Sequence, residues 1–303
     1  MCRATFGRMS EIKSKPLPPV RTFTTTAPIK ACRLRRDDLA RLYRIINDRQ
    51  IEYGQSFIKD VLAQQPTESL QQFQERQARV LSAFVTTVNI TGANNEIVSG
   101  SGEHFLASGN IPDKILTVFY TTLAGPNAVG IAGNLLQNRV TLMLDFARPA
   151  ILDFTKLPTY ATPNTSNFQI VAASEPWFTT LNTRLTQLFE DRRTGFNWLH
   201  QQGVYDVFLF LVGLPFALWL DYRCGPLIDQ LKVPTVLASG LYVYAFIAAL
   251  FLFRGIFDYS RWVFPKIEMQ TNASPPLRHR AVWLAIMIAV FGGAIWDALK
   301  ALW

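Results

Sequence analysis

The stretch VPTVLASGLYVYAFIAALFLF, residues Val233–Phe253, decides the class of this protein. It contains 21 residues and no charged side chain. As an α-helix that rises about 1.5 Å per residue, it would be about 31 Å long, and the hydrocarbon core of a bilayer is about 30 Å thick. We therefore predict that this segment crosses a membrane.

Two further apolar blocks, Val204–Leu220 and Ala281–Trp303, flank that stretch. The first block contains Pro215, and its uncharged run is shorter than a full membrane span requires. A re-entrant or interfacial helix is therefore an alternative to a full span. The last block becomes long enough to cross only when its polar end, residues 297–303, is included. Residues 201–303 are thus expected to form a three-helix transmembrane block.

The basic residues beside these blocks predict the orientation of the chain. Seven Lys and Arg residues lie within 192–193 and 254–280, whereas three lie within 223–232 and at Lys300. Loops rich in Lys and Arg stay on the cytoplasmic side of a membrane. We expect the N-terminal domain in the cytoplasm and the C-terminus outside. A bacterial-type inner membrane or plasma membrane fits this pattern, and the mitochondrial inner membrane is the alternative.

Small residues recur at every fourth position of the last block and form a stripe along one side of the predicted helix. The stripe, with the acid that continues it, consists of Ala281, Ala285, Ala289, Gly293 and Asp297. Small side chains let membrane helices approach each other closely. Two interpretations remain open: packing against Val233–Phe253 within one subunit, or self-association into a homo-oligomer.

Residues 37–200 have the pattern of a water-soluble α+β domain. Apolar residues occupy every second position of Arg139–Phe146, as in a strand with one buried face. Ser174 can cap the start of a helix, and Pro176 suits its first turn. Apolar residues at helical spacing follow, so a closing helix is predicted. Helices at the N-terminal end, about five strands and this closing helix predict an α+β fold with a mostly antiparallel sheet.

Residues 1–36 carry the charge of the chain. They contain nine of the 30 Lys and Arg residues and one acid, Glu11, while the remainder is balanced at 21 basic and 21 acidic residues. A nucleic-acid-binding domain is therefore not expected. We interpret this segment as a basic, disordered leader attracted to anionic lipid, with a mitochondrial transit peptide as the alternative.

Side chains that could carry chemistry are few. The three cysteines have no CxxC spacing and the three histidines have no metal-ligand spacing, so we expect no metal and no cofactor. Glu103-His104 follows a glycine-rich turn, and Gly125, Gly130 and Gly133 lie in a loop without a phosphate-binding lysine. We assign no catalytic residue.

Three functional hypotheses remain. In the first, the cytosolic domain is a binding, sensory or scaffolding module for an unidentified protein or small-molecule ligand, held in the lipid bilayer by the three helices. In the second, the chain is an oligomeric membrane effector or pore, assembled through the small-residue face. In the third, it is a membrane-associated enzyme.

Overall fold

The computed structural model describes residues 21–107, 111–131, 136–151, 158–270 and 276–302. These residues form two compact units. The first unit takes its described residues from 21–29, 35–145 and 165–191, and the second from 30–34, 146–164 and 192–302. The second unit therefore contains more than the apolar blocks, because two earlier segments of the chain belong to it.

The first unit is an α+β fold, as the sequence predicts. Its helices are α1 (Arg36–Val61), α2 (Leu70–Ala83), α3 (Glu103–Ala107), α4 (Ala124–Ala128) and α5 (Glu175–Asp191). Two hydrogen bonds fix the start of α2: the side chain of Ser69 accepts one from the backbone of Gln72, and the side chain of Gln72 accepts one in return from the backbone of Ser69. This reciprocal cap satisfies donors that the first helical turn leaves open.

The sheet of this unit has six strands, one more than expected. They are β1 (Phe23–Pro28), β3 (Thr87–Gly92), β4 (Ile97–Gly100), β5 (Ile115–Thr121), β6 (Arg139–Asp145) and β7 (Asn167–Ala172). Their order across the sheet is β1-β7-β6-β5-β3-β4, and every neighbouring pair is antiparallel. The prediction of an antiparallel sheet is thus confirmed.

The additional strand lies where we expected a disordered leader. Strand β1 pairs with β7 over its whole length, from Phe23 opposite Ala172 to Pro28 opposite Asn167. Its three threonines favour extended backbone because they are β-branched. The leader hypothesis is therefore wrong for residues 23–28, and residues 1–20 lie outside the described residues.

One face of the sheet packs against helices. The residues of β6 alternate strictly between buried and partly exposed, as the sequence predicts. Tyr120 of β5 is fully buried, and its hydroxyl donates a hydrogen bond of 3.0 Å to the backbone oxygen of Leu39 in α1. This contact ties the centre of the sheet to the first helix.

The second unit contains the apolar helices. They are α6 (Val204–Phe208), a π-helical turn (Leu209–Gly213), α7 (Leu214–Gln230), α8 (Thr235–Val263) and α9 (Pro276–Leu302). A 3₁₀ helix (Gly195–His200) precedes them, and a parallel strand pair joins β2 (Cys32–Leu34) to β8 (Ile267–Met269). The pair accounts for a further three residues of the expected leader.

Among the described residues, two helical segments are long and apolar enough to cross a membrane, not the three expected. They are Val204–Gln230, with a mean hydropathy of 1.7, and Thr235–Val263, with 2.2. The first runs ten residues beyond its predicted end at Leu220. The uncharged run of the third block, Ala281–Trp296, has 16 residues, fewer than the roughly 20 that a span requires.

Candidate functional site

Glu103 and His104, the first pair considered for chemistry, lie on the short helix α3. The Glu103 carboxylate accepts hydrogen bonds of 2.8 and 2.6 Å from the Arg44 guanidinium, which holds the pKa of that carboxyl below its ordinary range. The His104 side chain is exposed. Because Glu103 is engaged by an arginine, this pair gives no support to the enzyme hypothesis.

The glycines of the second loop have a packing explanation. A Cβ atom placed on Gly125 would lie 2.1 Å from the backbone oxygen of Ala83, so a side chain has no room at that position. Gly130 has φ +79°, a conformation that favours glycine. Gly133 lies outside the described residues. These features explain the glycines without a phosphate ligand.

The small-residue stripe of α9 is exposed within one copy of the chain. Ala281, Ala285 and Ala289 are all exposed, and a Cβ atom added to Gly293 would meet no atom within 4 Å. Asp297 lies in α9, and its side chain is outside the described residues. Trp283 and Met287 are side chains that α9 directs towards the other helices of the unit.

These two residues border the main feature of the second unit, a cavity of about 230 Å³. We call it the aromatic cavity. It lies between the first apolar segment, α8, α9 and the 3₁₀ helix. Its lining residues are Phe196, Trp198, Leu199, Phe208, Val212, Phe216, Phe253, Ile256, Phe257, Ser260, Phe264, Trp283 and Met287.

Helical spacing explains how the chain builds this cavity. In the first apolar segment, Phe208, Val212 and Phe216 follow each other at intervals of four residues and therefore share a face. The π-helical turn lies among them, and such turns are frequent at functional sites. Gly213 closes that turn, and a Cβ atom there would lie 2.8 Å from the Phe253 ring. The glycine thus lets α8 approach.

The wall of the aromatic cavity leaves little polar surface. Ser260 is the one lining residue with a hydroxyl, and that group donates a 2.7 Å hydrogen bond to the backbone oxygen of Ile256. The hydroxyl oxygen of Ser260 in turn accepts a 2.6 Å hydrogen bond from Nε1 of Trp283. Because both polar groups are satisfied within the wall, the cavity suits an apolar ligand.

A buried polar layer borders the cavity at the end of α8. Arg261 is 5% exposed, and its guanidinium donates hydrogen bonds to the backbone oxygens of Leu199 and Tyr160, at 3.0 and 3.2 Å. Its Cζ atom lies 4.9 Å from the centre of the Phe257 ring, which lines the cavity. The arginine thus holds the 3₁₀ helix and the preceding loop against α8.

His200 belongs to the same layer and is 4% exposed. Its Nε2 atom lies 2.7 Å from the backbone oxygen of Phe264, and its Nδ1 atom lies 2.9 Å from Oγ1 of Thr162. A carbonyl oxygen only accepts, so Nε2 carries the hydrogen and Nδ1 accepts from the threonine hydroxyl. Burial, together with the positive charges of Arg261 and Lys266, lowers the pKa of His200 to about 4.

Charged residues form a further group beside the cavity. Glu268 is buried and accepts a 2.8 Å hydrogen bond from Arg33 and bonds of 2.9 and 2.7 Å from Arg280. The Arg280 guanidinium also lies 5.4 Å from the centre of the Phe264 ring. Arg148 lies over the Trp262 ring at 4.9 Å. Arg280 and Arg148 thus place positive charges beside aromatic rings.

Sequence reasoning did not find the aromatic cavity. Its signal is present in the spacing of Phe208, Val212 and Phe216, and in the spacing of Phe253 and Phe257, but apolar residues on membrane helices carry the same signal when they face lipid. In the part of the chain that the structure describes, no group of three or more His, Cys, Asp or Glu side chains could hold a metal ion.

No family model matches the chain, and neither the curated proteins nor the solved structures contain a significant match.

Proposed function

We propose that this chain is a membrane-anchored binding protein, and that its aromatic cavity takes the apolar chain of a lipid. The domain of α1–α5 and the six-stranded sheet is then a cytosolic binding, sensory or scaffolding module, held at the bilayer by a multi-pass block. The single observation that carries the proposal is the cavity itself, with its almost wholly apolar wall.

The volume of the cavity supports a ligand of this kind. An engineered cavity of about 150 Å³ lined by Leu, Ile and Phe stays dry and binds benzene. At about 230 Å³, the aromatic cavity is larger and lined by similar side chains. An apolar occupant would also contact the side chains that face the cavity, and these contacts would add packing energy.

The location of the cavity supports a lipid as the source of the apolar group. The helices that line it carry large exposed apolar side chains, among them Phe210, Leu211 and Phe251. A lipid beside such helices would need to move an acyl chain only a short distance into the cavity. Its wall combines stacked rings, such as Phe196 on Phe264, with tilted rings, such as Phe208 and Phe257. It therefore offers both ring faces and ring edges to a flexible apolar chain.

A cavity-filling substitution tests the proposal. Val212 lines the cavity, whereas Val243 is 60% exposed on α8, so Val212→Phe and Val243→Phe add the same atoms at a cavity site and at an outward site. We expect the protein in mild detergent to retain one lipid per chain by native mass spectrometry. Val212→Phe should reduce this occupancy by about fivefold or more, and Val243→Phe should not change it.

A second cavity variant guards against misfolding. Met287→Phe fills the same space from α9, and Ile288→Phe, at an exposed neighbouring position, is its control. The proposal is overturned if the wild-type protein retains no lipid, or if folded cavity variants retain as much lipid as their controls. Melting temperatures of the four variants in the same detergent identify which of them are folded.

The oligomeric effector is the second candidate function, and the exposure of the α9 stripe favours it. Ala285 and Ala289 do not pack inside one copy of the chain, which leaves them available to a second copy. Replacing both with Leu should convert an oligomer to a monomer in light scattering of the detergent-solubilised protein. A wild-type monomer, or an unchanged oligomer in the double variant, would contradict this candidate.

A further inference from the structure

The charged group beside the aromatic cavity contains more positive than negative charge. One buried carboxylate, Glu268, is shared by Arg33 and Arg280. Arg148 and Lys266 are half-buried and form no hydrogen bond through their side chains and no ion pair with any described residue. Burial lowers the pKa of both groups, which shows that their environment disfavours the charge. An anion would compensate this excess.

Arg148 and Arg280 are arranged to receive such an anion. The Arg148 guanidinium lies over the Trp262 ring. This cation–π contact holds the guanidinium in place and leaves its N–H groups available. Arg280 uses Nη2 for Glu268, and its buried Nε donor has no hydrogen-bond partner among the described residues. A planar guanidinium presents its donors in a fork that matches the oxygens of a phosphate group.

Phe264 connects these arginines to the cavity. Its ring carries Arg280 on one side and lines the aromatic cavity, where it packs edge-to-face against Trp283 with ring centres 5.2 Å apart. A ligand that reaches both places needs a negatively charged group beside an apolar chain. An anionic phospholipid of the bilayer has this chemistry, and Lys and Arg at a membrane surface attract such lipids.

We propose that the occupant of the aromatic cavity is an anionic phospholipid whose phosphate binds Arg148 and Arg280 while one acyl chain enters the cavity. This inference rests on the proposed function and adds the headgroup that the site selects. It assigns the two arginines to ligand binding, with Glu268 as the residue that positions Arg280.

Lipid competition in nanodiscs tests the assignment. The full chain is reconstituted with equal amounts of phosphatidylglycerol and phosphatidylcholine, and the lipids that remain bound after transfer to detergent are identified by mass spectrometry. We expect phosphatidylglycerol to exceed phosphatidylcholine, and Arg148→Gln to lower that ratio by about fivefold, as expected for one basic group at a membrane surface. Arg148→Lys should restore part of the preference, because it keeps the charge and loses the planar fork.

Arg223→Gln is the matched control. Arg223 lies 5.7 Å from the centre of the Trp219 ring in α7, so this variant also removes a charge over a tryptophan, at a site that does not line the cavity. The lipid ratio of the control should equal that of the wild-type protein. An equal loss in Arg148→Gln and Arg223→Gln would overturn the assignment, since it would reflect net charge only.

Two further outcomes separate this inference from the proposed function. If lipid is retained without preference for the anionic headgroup, the headgroup assignment is wrong while the cavity proposal stands. If no lipid is retained at all, both are wrong. In a final arm, inorganic phosphate is added to protein bound to phosphatidylcholine: a rise in melting temperature that depends on Arg148 would identify free phosphate as the ligand and overturn the lipid assignment.

Discussion

The buried imidazole of His200 makes the stability of the second unit depend on pH. Its two ring nitrogens are both used in the neutral form, one as a donor to the backbone of Phe264 and one as an acceptor from Thr162. Adding a proton would place a charge in a site that is 4% exposed and next to Arg261. Replacing His200 with Gln removes the titrating group and should therefore remove this pH dependence.

The magnitude follows from the two pKa values. Folding lowers the pKa of His200 from 6.5 to about 4. Between these values the unfolded chain binds more protons than the folded chain, so stability decreases as the pH falls from 6.5 towards 4. By linkage, the cost between pH 7 and pH 5 is about 2 kcal/mol. Above pH 7 this group contributes no further change.

Equilibrium unfolding in a mild detergent, followed by tryptophan fluorescence between about pH 5 and pH 7, measures this cost. The wild-type free energy of unfolding should fall by about 2 kcal/mol more than that of His200→Gln across the interval. His104→Gln removes an exposed imidazole from the other unit and should keep the wild-type slope. Equal slopes in the wild-type protein and His200→Gln would show that burial of His200 does not cause the pH dependence.

Three other substitutions have definite expected effects on the free energy of unfolding. Glu268→Gln should lower it by about 2 kcal/mol, because a neutral amide cannot compensate two arginines, and detergent unfolding at neutral pH measures the loss. Gly213→Ala should lower it by about 1–3 kcal/mol, because the new methyl group overlaps the Phe253 ring; an unchanged melting temperature would show that the helices separate freely. Tyr120→Phe should lower it by about 1 kcal/mol through the lost bond to α1, and a larger loss in urea unfolding would mean that the substitution also disturbs the packing.

Local periodicity predicted the parts of the fold that depend on neighbours in sequence. The alternation in Arg139–Phe146 predicted strand β6, and the capped apolar stripe after Ser174 predicted helix α5, which begins at Glu175. Both patterns show which side of an element is buried. This is possible because the residues on the buried face recur with the period of the strand or the helix.

Strand β1 could not be predicted in this way. It pairs with β7, whose residues lie 139 to 149 positions further along the chain, from Pro28 opposite Asn167 to Phe23 opposite Ala172. It is an edge strand in which no residue is fully buried. Its sequence therefore has no alternation of apolar residues from which a strand could be predicted. The basic composition of residues 1–36 predicted disorder, and the short run of threonines was too weak a signal to predict a strand. Pairing with a distant strand stabilises that run.

The candidate site was missed for a related reason. The aromatic cavity requires three helical faces and a 3₁₀ helix to converge, and the sequence shows each face only as part of an apolar run. Arg148 and Arg33 reach the charged group from segments more than 100 residues before Glu268. A sequence pattern can show that such residues exist, but their convergence depends on the tertiary structure.

The distribution of exposed apolar side chains on α8 favours lipid, rather than a single protein partner, as the surroundings of the second unit. The large exposed side chains of this helix are Val236, Leu237, Val243, Tyr244, Ile247, Phe251 and Leu252. At about 100° per residue, these positions span about 180° of the helix circumference. One helix packed against a neighbour buries a stripe of roughly 100°, so a second helix would leave much of this surface in water. A core helix of a soluble protein is mostly buried, whereas only 11% of the most apolar part of α8 is buried inside the chain. A bilayer covers such a surface from all sides, and it also supplies the class of ligand that the aromatic cavity and its arginines would select.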